Sequence, residues 1–380
     1  MIYLDNSATT RPFDEVISCI ADMQQNTFGN PSSLHRAGIL AERTMKEARE
    51  QVLSALSNED GTFVFTSGGT EANNLAILGT LLSRIRRSPQ IITTKIEHPS
   101  VMEAVLYLKS LGADCRFAEV NQNGQVDTEH FQSLLTEDTA FVSVMSVNNE
   151  TGAQQDIASL CRLTKQKNPD ALFHTDAVQA LGKIPLNVRE TGVDLLSVSS
   201  HKINGPKGAG GLYIRRGVHV KPILHGGGQE NGLRSGTQNT PAIAGFGLAC
   251  QLTMASFTEH TDKMARLRTL LADGLSEIPG CLVVSVDNPA PHVVSASFPG
   301  LKSETLLHTL EARDIYVSSG SACSSNKPQL SPTLLAMGKS RKEIEGTIRF
   351  SLGYDTTEAD IMAALSAVKE EATLLLGVSR

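Results

Sequence analysis

The sequence predicts an α/β protein, with a large unit built on a mostly parallel sheet between helices and a smaller α+β unit after it. Three observations carry that expectation. Strand and helix patterns alternate over most of the 380 residues. Two apolar strands run into polar ends, one at Asp176 and one at Ser199-Ser200-His201-Lys202. The chain is also too long for one typical domain and suits one large and one small.

Taken in order, Ala41, Met45, Ala48, Val52 and Leu56 recur at helical spacing and predict a helix over 41–56. Strands are expected at 62–66 and 90–94, with a helix at 70–82 between them. A helix at 100–111, strands near 115–120 and 140–147, and a helix at 156–167 lead to the strands ending at Asp176 and Ser199. One long helical region is expected from Thr240 through Leu248, Leu252 and Met264 to about Ile278, linking the two units. Beyond it come a strand at 293–298, a helix at 304–312, a strand at 347–352 and a helix at 358–376. The expected division is residues 14–255 for the large domain and residues 1–13 with 256–380 for the small one. The first dozen residues are expected to pack with the small domain or along the seam.

Hydrophobic content of 40% with 19% charged residues is ordinary for a cored protein. A net charge of −6 gives no reason to propose direct nucleic-acid binding. No stretch approaches the roughly 18 apolar residues of a membrane span. The start, Met1-Ile2-Tyr3-Leu4-Asp5-Asn6, lacks the basic and apolar regions of a signal peptide, so a cytoplasmic location with no membrane association is expected. Six cysteines without a CxxC pair argue against a disulfide framework and a metal site. Cys19, Cys115, Cys161, Cys250 and Cys281 are expected in the core. Cys323 lies instead in Ser319-Gly320-Ser321-Ala322-Cys323-Ser324-Ser325, a small and polar stretch that predicts a mobile, exposed loop.

Lys202 offers an amine, Asp176 an acid able to pair with a ring nitrogen, and both sit at strand ends. Together they suggest pyridoxal 5'-phosphate (PLP). Ser67-Gly68-Gly69-Thr70-Glu71 joins a strand to a helix, and the N-terminus of that helix suits a phosphate, although a plain helix cap would use the same residues. His98, between Glu97 and Pro99, opens another helix; it is either a structural group or one that stacks on a ring and moves protons. In a parallel sheet these strand ends share one crevice. The glycine-dense run from His225 to Thr237 reads as a hinge or as part of an anion site. Arg349, on an otherwise apolar strand, needs a partner, either a substrate carboxylate or a structural acid.

Read together, these motifs resemble the cysteine desulfurases of the NifS/IscS type, a branch of the class V aminotransferases with the PLP fold-type I architecture. The likeness runs nearly end to end. It includes Tyr3-Leu4-Asp5-Asn6-Ser7-Ala8-Thr9-Thr10, Phe28-Gly29-Asn30-Pro31-Ser32-Ser33-Leu34-His35, Ser67-Gly68-Gly69-Thr70-Glu71 and Glu97-His98. Asn148-Asn149-Glu150-Thr151-Gly152, Ser199-Ser200-His201-Lys202, Arg234-Ser235-Gly236-Thr237 and Ser319-Gly320-Ser321-Ala322-Cys323 complete it.

The resemblance implies that Lys202 bonds the cofactor, Asp176 pairs with its ring nitrogen, Gln179 with its phenolic oxygen, and His98 stacks on it and assists proton transfer. It places Gly69, Thr70, Ser199 and His201 at the phosphate, with Thr237 reaching it from the partner in a homodimer. Asn149 and Arg349 would take the carboxylate of L-cysteine, and Cys323 would receive its sulfur as a persulfide, leaving alanine and passing sulfur to an acceptor protein. The Cys323 stretch resembles the longer-loop group of the family and does not name the acceptor. Selenocysteine lyase, an aminotransferase or a non-catalytic sulfur carrier are the rival readings. A plain aminotransferase has no need of a cysteine there, and a carrier has no use for Lys202, Asp176 and His98 together.

Overall fold

A computed structural model of the protein describes residues 1–57, 60–319 and 330–378. The strands in chain order are β1 (Ile2–Tyr3), β2 (Thr62–Thr66), β3 (Gln90–Thr94), β4 (Asp114–Ala118), β5 (Thr139–Ser143), β6 (Leu172–Asp176) and β7 (Leu195–Ser199). They continue with β8 (Gly210–Ile214), β9 (Leu282–Val283), β10 (Val293–Ser297), β11 (Ile315–Tyr316), β12 (Ser318–Ser319) and β13 (Thr347–Ser351).

Seven strands form the larger sheet in the order β2-β8-β7-β6-β5-β3-β4. Only β8 runs against its neighbours, pairing antiparallel with both β2 and β7. Side chains alternate between its two faces, as the period of a strand requires. Phe63, Phe65, Ile92, Val142 and Leu196 enter the core formed with helices Asp14–Asn26, Arg36–Ala55, Ile157–Lys167 and Thr240–Ala255. Val64, Ile91, Phe141 and Leu195 enter the core under helices Gly69–Leu81 and Pro99–Ser110. Both faces are covered, so β3, β6, β7 and β8 are buried along nearly their whole length, with polar members such as Thr93, His174 and Ser197 among the apolar ones.

The second sheet, β12-β13-β10-β9, is antiparallel. It has its own core, where Val294, Ala296, Ile348 and Phe350 meet Met264, Leu271, Leu306, Leu310 and Ile361. The N-terminal segment straps the two sheets together. β1 pairs with β11, Asn6 N–H donates to Ser351 O at 3.2 Å, and Thr10 N–H donates to His201 O at 2.9 Å.

Two expectations need correction. The long helix after Thr240 is two helices, Thr240–Ala255 and Phe257–Ser276, broken at Ser256 (φ −120°, ψ 23°). The first is apolar nearly all round and buries in the large-sheet core. The second turns an amphipathic stripe of Met264, Leu267, Leu271 and Leu275 onto the other core, and one straight rod cannot serve both. Cys19 and Cys115 are half-buried, and only Cys161, Cys250 and Cys281 among the described cysteines are buried.

Candidate functional site

The strands parallel in direction to β7 end at one edge of the large sheet, where a cavity of about 280 Å³ opens. The chain after β2 supplies Gly69 and Thr70, and that after β3 supplies His98. Asn149 follows β5, β6 ends on Asp176, and β7 runs through Ser199 into His201 and Lys202. Gln179 and Arg349 complete the set of expected residues lining this space. A larger hollow of about 590 Å³ at the opposite edge, around Thr62, Ile214 and Arg216, contains none of them.

Lys202 Nζ donates to the main-chain oxygens of Ser7 at 2.5 Å and Ala8 at 2.7 Å, so the N-terminal strap seats the amine. Asp176 is 4% exposed. Its Oδ1 accepts from Val178 N–H at 3.0 Å and its Oδ2 from Asn73 Nδ2 at 2.7 Å. The same Asn73 nitrogen donates to Ser100 Oγ at 2.8 Å, and that hydroxyl lies 2.7 Å from His98 Nδ1. One chain of bonds therefore joins the acid to the imidazole.

His98 also caps helix Pro99–Ser110, its Nδ1 accepting from Ser100 N–H at 3.2 Å. It is thus both the structural group and the cavity group. In the neutral ring Nδ1 is the acceptor, so Nε2 carries the hydrogen. Burial lowers its pKa below the usual histidine value; Asp176 opposes that shift and Lys202 adds to it. His201, whose Nδ1 lies 3.1 Å from Thr9 Oγ1, is lowered to about 4 by burial, with Lys202 and Lys207 adding. Both imidazoles are neutral near pH 7.

The helix Gly69–Leu81 starts at Gly68 with no side-chain cap, which leaves its first N–H groups for the cavity. Ser199 Oγ, on the facing strand end, is buried without a partner. A Cβ on Gly69 would come within 2.7 Å of Val178 Cγ2, so this turn accepts only glycine without displacing the cavity wall. An uncapped helix N-terminus beside an unpaired hydroxyl is a cradle for an anion such as phosphate. Arg349 is 5% exposed and uses Nη2 on Asp5 Oδ1 at 2.7 Å and Nη1 on Asn149 O at 3.0 Å, while its Nε is unpaired. The structural acid therefore exists, and the guanidinium still faces the cavity.

One described site residue falls elsewhere. Thr237 is exposed and does not line this cavity. Cys323 lies outside the described residues. The glycine-dense run before Thr237 is pinned by acids: Glu230, 7% exposed, accepts from Arg49 Nη2 at 2.8 Å, and Arg234 Nε donates to Glu71 at 2.8 Å.

Sequence reasoning missed several groups around the cavity. Asn73 gave only an i+3 spacing from Thr70, and Ser7 and Ala8 act through carbonyls that no side chain advertises. Glu97 is buried, and burial raises its pKa to about 8, against donors from Met145 N–H and Thr94 Oγ1; Asp176 raises it further. Its carboxyl is neutral at pH 7. Glu150, raised to about 6 by burial, accepts from Ser331 Oγ at 2.5 Å and so ties the segment after β5 to the helix Pro332–Ala336.

Residues 2–363 match the family described as Aminotransferase class-V. A cysteine desulfurase of Trichormus azollae is 41% identical over 372 residues, covering 97% of this chain and 92% of that protein. The structure of a NifS-like protein superposes with a TM-score of 0.93 at 38% identity, covering 98% of this chain and 99% of that one. SspA, solved in complex with cysteine, gives a TM-score of 0.82 at 31% identity over 93% of this chain and 99% of its own. The chain belongs to the class V aminotransferase family.

Proposed function

We propose that the protein is a PLP-dependent cysteine desulfurase, which converts L-cysteine to L-alanine and a persulfide on Cys323 and passes the sulfur to an acceptor protein. The observation that carries this reading is the convergence of Lys202, the Asp176–Asn73–Ser100–His98 chain and an uncapped helix N-terminus in one cavity. The relatives named cysteine desulfurase and the cysteine-bound neighbour support the same substrate.

The residues present fit the cofactor. The orphaned Ser199 hydroxyl, Gly69, Thr70 and His201 suit its phosphate, Asp176 its ring nitrogen, Gln179 its phenolic oxygen and Lys202 its aldehyde carbon. When bound, the group supplies an electron sink for the substrate's α carbon. Asp176, held by two donors, fixes an acceptor oxygen where a ring proton would sit. His98 presents a neutral ring that holds its hydrogen at Nε2, and that nitrogen takes a proton only after this hydrogen has been passed on. Arg349 Nε and Asn149 orient the substrate carboxylate. Cys323 must reach the substrate sulfur as a thiolate, forming an S–S bond as the C–S bond breaks.

We further assign Thr237 to the phosphate of the partner subunit in a homodimer. Its absence from the lining of its own cavity supports this, as do the exposed apolar side chains Phe28, Leu34, Ile39 and Leu40 along one segment. The two-core architecture and the break at Ser256 support domains at 14–255 and at 1–13 with 256–380. No helix among the described residues is long and apolar enough to cross a membrane, and we take the protein to work in the cytoplasm.

The test is Lys202→Ala with added PLP. It should lose both alanine release from cysteine and the visible absorption band of the covalently held cofactor. Alanine release at the wild-type rate would eliminate the assignment.

A further inference from the structure

The chain enters β10 through Pro289-Ala290-Pro291-His292, and main-chain bonds hold that entry on both sides. Ala290 N–H donates to Gly152 O at 2.8 Å, and Leu352 N–H donates to His292 O at 2.8 Å. The His292 side chain is 1% exposed. Its Nε2 lies 3.2 Å from Gln179 Oε1, and its Nδ1 is buried with no partner. Gln179 Nε2 in turn donates to Ser7 O at 2.9 Å, the carbonyl that also receives Lys202 Nζ.

These contacts leave one arrangement. A carbonyl oxygen only accepts, so Ser7 O requires the amide nitrogen of Gln179 to face it. Gln179 Oε1 must then face the imidazole, and Nε2 of His292 must carry the hydrogen. The bare Nδ1 is the other half of the same tautomer. Burial holds His292 well below the usual histidine pKa, and the neighbouring cations Lys183, Arg349 and Lys202 push it the same way. The ring is neutral over the working range and offers one fixed donor.

We propose that His292 is the positioning residue for Gln179: its Nε2–H fixes the amide so that the second Nε2 hydrogen serves the cavity, where it meets an oxygen anion on the ligand ring. This rests on the assignment of the cavity to PLP. A flipped amide would turn Oε1 toward that anion, and an amide without its anchor would donate only part of the time. A donor at an ionised oxygen favours the ionised form, so weakening it raises the pH at which the bound ring titrates.

The experiment compares wild type with His292→Leu, His292→Asn, Gln179→Leu and the double variant Gln179→Leu/His292→Leu. The PLP-loaded proteins are titrated through the pH dependence of the visible band, and cofactor-free wild type and Gln179→Leu are followed by nitrogen NMR of the histidines. Gln179→Leu should raise the midpoint by about one pH unit and His292→Leu by about half of that. His292→Asn, whose amide still donates, should recover most of the wild-type midpoint. His292→Leu should add nothing once Gln179 is gone, because the two residues act as one unit. The NMR should report the Nε2–H tautomer in wild type and a changed His292 signal in Gln179→Leu.

Equal shifts from His292→Leu with and without the Gln179 side chain would overturn the proposal, as would lowered thermal stability in His292→Leu with an unmoved midpoint. An Nδ1–H tautomer would overturn it as well. Should wild type take up no PLP, the reading of the cavity falls, and the tautomer and its response to Gln179→Leu still decide the role of His292.

Discussion

Ser199→Ala separates a ligand-binding hydroxyl from a structural one. In the protein alone Ser199 Oγ is buried and unpaired, at a residue 3% exposed. A buried unsatisfied hydroxyl costs about 1–3 kcal/mol relative to a satisfied one, so removing it does not destabilise the cofactor-free fold. If Ser199 serves the phosphate as proposed, the same hydroxyl would donate to a charged oxygen of bound PLP, an interaction of about 1.5–3 kcal/mol. That converts to roughly tenfold to a hundredfold weaker cofactor binding at 1.4 kcal/mol per decade. The assay is a spectral titration of cofactor-free wild type and variant with PLP, repeated with pyridoxal, which lacks the phosphate. PLP affinity should fall by that factor, pyridoxal affinity should stay level, and the cofactor-free melting temperature should hold or rise slightly. A variant that melts earlier without cofactor, or loses pyridoxal as strongly as PLP, would show that the hydroxyl supports the fold and not the phosphate.

Cys323→Ser should keep the bound cofactor's colour and still bind cysteine, yet form no persulfide, because a serine hydroxyl is un-ionised and a poor nucleophile toward sulfur. Peptide mapping after incubation with cysteine checks this, and persulfide on Cys19, Cys115, Cys161, Cys250 or Cys281 with normal turnover would sink it. Glu97→Gln should flatten the pH dependence of stability. The folded pKa of about 8 lies above the ordinary 4.5, so the folded chain holds a proton the unfolded one releases, and wild-type stability falls as pH rises from 4.5 through 8. Denaturant melts at pH 5 and pH 8.5 should show that loss in wild type and much less of it in the amide variant. Sedimentation should give a dimer, and mixing Thr237→Ala with Lys202→Ala subunits should restore one working site per mixed dimer; a fully active monomer rejects the role across the interface.

The sequence by itself determined the layers and most of the cavity. Lys202, Asp176, His98 and Thr70 were legible because each stands where an apolar strand gives way to a turn or a helix start, and a parallel sheet carries all such points to one edge. Local signals stop there. The strand β8 was not predicted, since two glycines at its start weaken any strand pattern; only the folded sheet shows why Gly210 and Gly211 are glycine, since a Cβ would strike the Gly68 backbone at 2.6 Å or the Phe63 ring. The single helix after Thr240 failed because helix-compatible residues continue through the break while the core they face changes at Ser256. Asn73, the Ser7 carbonyl and His292 are separated from their partners Asp176, Lys202 and Gln179 by 103, 195 and 113 residues. Burial makes those bonds directional and obligatory, and burial is a property of the assembled tertiary structure, so it decided how each reactive group is held.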